Sequence, residues 1–132
     1  MKQLYLIFAI FIGTAFIGCT SEDSEIPSTP EQEVEKVDYY IKYYVKSASS
    51  YHYIKSVTVT TDKGVQTFEF KNKIGWEQTF GPVAKGFKAS IHVQGYTNTV
   101  EIHICRGKEP FALKAILNEG VSNPSLEYTI DY

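Results

Sequence analysis

The sequence predicts an all-β protein, one small domain of about seven short antiparallel strands closed as a sandwich or a barrel. Three observations carry that expectation. From Tyr39 onward apolar and polar residues alternate with the two-residue period of a half-buried strand. Turn-forming residues recur roughly every ten positions, the spacing of a sandwich or barrel. Aromatic residues make up 14% of the chain, with 10 Tyr and 8 Phe, and these side chains suit a pleated, half-buried surface.

The strands follow in order. Tyr39, Ile41, Tyr43 and Val45 fall on one face of the first, against Tyr40, Lys42, Tyr44 and Lys46 on the other. Val57 and Val59 alternate with Thr58 and Thr60, and Asp62-Lys63-Gly64 then reads as a tight hairpin turn with glycine in the left-handed position. The return strand presents Phe68 and Phe70. Trp76 and Phe80 bracket a further short strand that is expected to end before Gly81-Pro82. Phe87, Ala89, Ile91 and Val93 form another alternating set, and a turn at Gly95–Asn98 leads to Val100, Ile102 and Ile104. Leu126, Tyr128 and Ile130 make the last strand.

The segment 110–120 is ambiguous. It holds good helix formers, with Pro110 near its start and Gly120 just past its end. Its apolar residues lie all round, however, and a small sandwich must complete its second sheet. The balance favours a strand.

At the N-terminus, Met1-Lys2-Gln3 supplies a short positive start to an uncharged run from Leu4 to Gly18. That run is shorter than the roughly 20 residues a membrane-spanning helix needs, and it fits the core of a signal peptide. It ends Phe16-Ile17-Gly18-Cys19, which resembles the bacterial lipobox. The resemblance implies diacylglycerol on the Cys19 sulfur, cleavage after Gly18 and acylation of the new N-terminus. Each buried methylene contributes roughly 0.8 kcal/mol, so several acyl chains hold a protein on a membrane almost permanently. Residue 20 is Thr rather than the Asp that resembles an inner-membrane retention signal. The following Ser21-Glu22-Asp23 resembles the acidic export signal of Bacteroidetes lipoproteins. The expected location is the outer membrane, lipid-anchored and exposed at the cell surface.

The domain organisation read from this is a signal peptide at 1–18, the lipidated Cys19 and a tether through residue 38, and a β-domain over 39–132. Residues 20–38 carry seven acids and one base, with Pro27 and Pro30, too few apolar groups to offset ordering entropy. They read as a disordered, self-repelling acidic stalk. Residues 39–132 carry eleven bases and eight acids. That small excess is scattered along the strands, so nucleic acid is not expected as a partner.

The order of residues within the β-domain is similar to the MmpS-type domains of actinobacterial membrane proteins and Bacteroidetes lipoproteins. The similarity is carried by Val57-Thr58-Val59-Thr60-Thr61-Asp62-Lys63-Gly64, Trp76-Glu77-Gln78-Thr79-Phe80, Lys85-Gly86-Phe87-Lys88-Ala89-Ser90-Ile91 and Val100-Glu101-Ile102-His103-Ile104. It implies a small immunoglobulin-like antiparallel β-sandwich with Trp76 packed near the core. Mycobacterial members assist RND-type lipid transporters, which implies an accessory role as one alternative. The present chain differs from them in carrying a lipid acceptor in place of a membrane helix and in lacking a cysteine pair. The shared positions look structural, so no functional residues follow from the resemblance.

Candidate chemistry is sparse. If Cys19 is lipidated, Cys105 has no disulfide partner. On alternation His103 and Cys105 share a face, and a two-residue turn at Thr97-Asn98 would set His92 across from His103. Two imidazoles and a thiolate are ligands for zinc or copper. With no fourth ligand and no usual spacing, they read instead as ordinary sheet-face histidines and a lone thiol. No metal or other cofactor is expected. No nucleophile motif or phosphate loop is present, and the side chains of His103 and Cys105 run parallel on one strand, so an enzyme is not expected either. The tyrosines stand out more. Tyr40 and Tyr44 lie on the face opposite the core with Lys42 and Lys46, Tyr51, His52 and Tyr53 fall in a loop, and Tyr96 is expected at a hairpin tip. Exposed aromatic rings anchor protein interfaces and stack on sugars. Tyrosine also suits a half-buried sheet face on its own account, so Tyr40, Tyr44 and Tyr96 stand as candidate binding residues beside that plainer reading, with a protein or glycan as the partner.

Overall fold

The alternation at the head of the domain becomes strand β1, Tyr39–Lys46, in which Tyr39, Ile41, Tyr43 and Val45 are buried and the residues between them are half-buried. The structure is a computed structural model that describes residues 35–132. The expected leader, the acceptor Cys19 and the tether as far as residue 34 lie outside the described residues. Val37 already packs against the core, and the Asp38 carbonyl accepts a hydrogen bond from Gly107 N at 2.7 Å.

After β1 come β2 (Ile54–Thr61), β3 (Gly64–Lys73), β4 (Gly75–Val83), β5 (Lys88–Thr97), β6 (Thr99–Arg106), β7 (Ala112–Leu117), β8 (Val121–Ser122) and β9 (Ser125–Thr129). The fold is an all-β antiparallel sandwich. One sheet has the order β4-β1-β6-β7. The other has the order β3-β2-β5-β8, and β9 also pairs with β5. The nine strands among the described residues, two-residue β8 included, exceed the seven or so expected.

Each sheet turns its alternate residues inward, as the two-residue period requires. Ile41, Tyr43 and Val45 of β1 and Val100, Ile102 and Ile104 of β6 meet Val57 and Val59 of β2 and Ala89, Ile91 and Val93 of β5 in one core. Full burial of one such aliphatic chain contributes about 1.5–3 kcal/mol. Phe68, Phe70, Trp76 and Phe80 pack against this core from one side, with the Phe68 and Trp76 ring centroids 5.3 Å apart. Trp76 thus sits beside the core.

One turn and one strand form as expected. Thr61 pairs with Gly64 across the β2–β3 hairpin, Gly64 has φ +97°, and Thr61 Oγ1 accepts from Lys63 N at 3.1 Å. Segment 110–120 supplies β7, which covers the open edge of β6 and packs Ala115 and Leu117 against the core.

The segment Gly95–Asn98 departs from expectation. It is no hairpin: β5 ends in one sheet and β6 begins in the other, with Asn98 alone between them. Asn98 N donates to the Lys46 carbonyl at 2.9 Å, which ties the corner to the end of β1. His92 therefore faces Thr58 and Ser125 across its sheet, whereas His103 faces Lys42 and Leu113 in the other. Tyr96 is not at a tip but within β5, opposite Ser122. Strand alternation hides this difference, because a sheet switch and a hairpin both keep apolar residues inward. Likewise β4 does not stop before Gly81-Pro82 but runs on to Val83, which pairs with Tyr39 beyond a bulge.

Candidate functional site

The outward face of the β4-β1-β6-β7 sheet is built by strand register. Directly opposed residues of neighbouring antiparallel strands share a face. One row across the sheet reads Glu77, Tyr44, Glu101, Ile116, and the next reads Thr79, Lys42, His103, Leu113. Tyr40 follows on β1, opposite Cys105. Its ring is seated over Gly81, where a Cβ would stand 2.9 Å from Tyr40 Cδ1 and 2.8 Å from the Tyr39 carbonyl oxygen. The expected site residues Tyr40 and Tyr44 thus share one surface, and Tyr96 lies in the other sheet.

That surface carries more apolar area than the tyrosines alone. Leu113 and Ile116 are each 47% exposed, and Phe111, just before β7, is 37% exposed. Lys42 Nζ lies 5.1 Å from the Phe111 ring centroid, which brings that ring to the same face. A bulge between Ile102 and His103 makes Lys114 the extra residue of β7, so Leu113 and Ile116 both point outward although three positions apart. Lys114 reaches instead over the Tyr132 ring, 3.8 Å from its centroid. At the centre of the face His103 Nε2 lies 2.6 Å from Glu101 Oε2. Sequence reasoning missed Phe111, Leu113, Ile116 and Glu101. The Glu101–His103 pair had a readable signal, two polar residues two apart on one strand.

The remaining reactive side chains are separately engaged. Cys105 is buried under the loop after β6, and its Sγ donates to the Glu109 carbonyl at 2.9 Å. His92 Nδ1 lies 2.7 Å from Ser125 Oγ, but among the described residues no third group orients this exposed pair. Among the described residues no three His, Cys, Asp or Glu side chains gather where they could hold a metal ion.

A second concave region lies at one end of the five-stranded sheet. Tyr51, His52, Tyr53, Lys55, Gln94, Gly95, Tyr96, Ser122 and Asn123 line a cleft of about 440 Å³. The loop 47–53 is held by its own polar groups: buried Ser47 donates through Oγ to the His52 carbonyl, and Ser49 Oγ lies 2.9 Å from His52 Nδ1. The His52 ring packs on Tyr96 at 4.8 Å between centroids. On the opposite wall Asn123 clamps Gly95 twice, its Oδ1 accepting from Gly95 N at 3.0 Å and its N donating to the Gly95 carbonyl at 2.8 Å. Tyr96 reaches past Gly120, where a Cβ would come within 2.1 Å of the tyrosine oxygen.

Comparison with protein-family models, with curated proteins and with solved structures finds no match to this chain.

Proposed function

We propose that the chain is a non-enzymatic, lipid-anchored protein of the outer membrane whose sandwich is a binding module. In this reading the outward face of the β4-β1-β6-β7 sheet meets a protein partner in the envelope. The observation that carries it is the continuity of Tyr40, Tyr44, Leu113 and Ile116 around the Glu101–His103 pair. Interface hot spots combine large, stiff aromatic anchors with a few charges, ringed by residues that exclude water. The edge position of β7 adds unpaired backbone groups beside its exposed aliphatics. The lipobox-like Phe16-Ile17-Gly18-Cys19 supports the anchor, and the MmpS-type similarity supports a transporter as one candidate partner.

Two outcomes are expected. Intact-mass spectrometry is expected to show the native chain cleaved after Gly18 and carrying acyl mass on Cys19, and Cys19→Ser neither acylated nor cleaved. A native chain without acyl mass on Cys19 contradicts the anchor. Tyr40→Ala with Tyr44→Ala leaves the circular dichroism spectrum intact and weakens partner capture by about 2 kcal/mol or more per ring. Undiminished capture by this folded variant rules out the face as the binding surface.

A further inference from the structure

We infer that the cleft between the 47–53 loop and β8 is a carbohydrate-binding site, separate from the protein-binding sheet face. Tyr51, 87% exposed, stands at the rim of this cleft. Tyr53, 42% exposed, lines the same wall, and the His52 and Tyr96 rings, tilted 38° to one another, complete an aromatic lining. Four aromatic rings around one concavity suit a ligand with flat, weakly polar C–H faces.

The polar complement narrows the class. Lys55, Gln94, Ser122 and Asn123 line the cleft beside the aromatic rings. Gln94 Oε1 accepts from Ser56 Oγ at 3.2 Å, which orients its amide and leaves the NH2 as a donor. Donors and hydroxyls interleaved with rings match a pyranose, whose edge is hydroxyl-rich and whose face is C–H. No carboxylate lines the cleft and Lys55 is its one cation, so a neutral sugar fits better than a nucleic acid, whose phosphates require a basic track. A proline-rich peptide also docks on aromatic grooves, but it does not use this density of hydroxyl and amide partners.

The walls are preformed. The double Asn123–Gly95 clamp and the hydrogen bonds within 47–53 fix both sides, so a ligand pays little ordering entropy.

The test uses the full chain in detergent, titrated with cellohexaose, laminarihexaose, xylohexaose, mannohexaose, maltohexaose and chitohexaose. Binding is followed by calorimetry and by amide NMR shifts. At least one sugar is expected to bind and to shift the amides of Tyr53, Lys55 and Gly95. Tyr51→Ala, a change at an exposed side chain that leaves the fold intact, is expected to weaken that sugar about tenfold. Gln94→Leu is expected to weaken it as well, through the lost donor. Failure of all six sugars at millimolar concentration overturns the proposal. So does binding that both variants leave unchanged, or a proline-rich decapeptide that shifts these amides when no sugar does. Loss of sugar binding with retained capture by the sheet face would leave the protein-binding reading standing, so the two are separable.

Discussion

Tyr43→Ala is expected to destabilise the domain by about 3–5 kcal/mol, the range for removing a large buried aromatic. A domain of this size has only about 5–15 kcal/mol in total. Tyr43 is fully buried, its ring packs on Phe80, and its hydroxyl donates to the Thr60 carbonyl at 2.7 Å. Thr60 Oγ1 in turn accepts from Ser90 N at 2.8 Å and donates to the Lys88 carbonyl at 3.0 Å. One phenol therefore connects β1 of one sheet to β2 and β5 of the other. Tyr43→Phe keeps the ring and loses the hydrogen bond, and is expected to cost about 1 kcal/mol.

The same hydroxyl gives a pH signature. Burial, only partly offset by the hydrogen bonds from its surroundings, pushes the Tyr43 phenol up to about 12 from 10.0. The folded state then holds a proton that the unfolded chain has released. Its contribution is complete below pH 10 and is lost as the pH rises toward 12, at about 1.4 kcal/mol per pH unit and about 2–3 kcal/mol in all. Urea denaturation at about pH 9 and about pH 12 is expected to show a smaller alkaline loss in Tyr43→Phe than in the native sequence. Equal losses in the two proteins would contradict the buried, linking role of this phenol.

Gly95→Ala is expected to cost about 2–5 kcal/mol. Gly95 sits at φ +132°, a region that residues with a Cβ rarely adopt. A Cβ there would stand 2.6 Å from the Tyr53 carbonyl oxygen and 3.2 Å from Ile54 Cα. Both are backbone atoms, one at the end of the 47–53 loop and one at the start of β2, and cannot rotate away, so strain and overpacking add. The urea midpoint is expected to fall markedly, with NMR shifts spreading through 51–55 and 122–123 as the cleft wall moves. A change under about 0.5 kcal/mol, the size of an ordinary surface substitution, would mean that β2 and β5 do not meet at this register.

Strands β1, β2, β5 and β6 were legible because each has one buried and one solvent-facing side, and the Asp62-Lys63-Gly64 turn because its glycine conformation is residue-specific. The corner at Asn98 was not, since nothing in Tyr96-Thr97-Asn98-Thr99 distinguishes a chain that returns along its own sheet from one that crosses to the other. That single ambiguity misplaced both Tyr96 and His92. The exposed apolar residues of the β4-β1-β6-β7 face were hidden for another reason. Leu113 and Ile116 belong to a segment whose apolar residues lie all round, so alternation marks no outward side, and it is the β6–β7 bulge that puts both on the outer face. The cleft was half visible. Tyr51, His52 and Tyr53 announced themselves as loop aromatics, but Gln94, Ser122 and Asn123 join them only through the pairing of β5 with β2 and β8.

Site-specific photocrosslinking in intact cells tests whether the outward face of the β4-β1-β6-β7 sheet is the protein-binding surface proposed above. A photoreactive residue at Leu113, on that face, is compared with one at Val65, which is 70% exposed on β3 in the other sheet. A discrete adduct with one envelope protein is expected from position 113, abolished by Tyr40→Ala with Tyr44→Ala, and none from position 65. Adducts of equal yield from both positions, or none from position 113, would contradict that assignment.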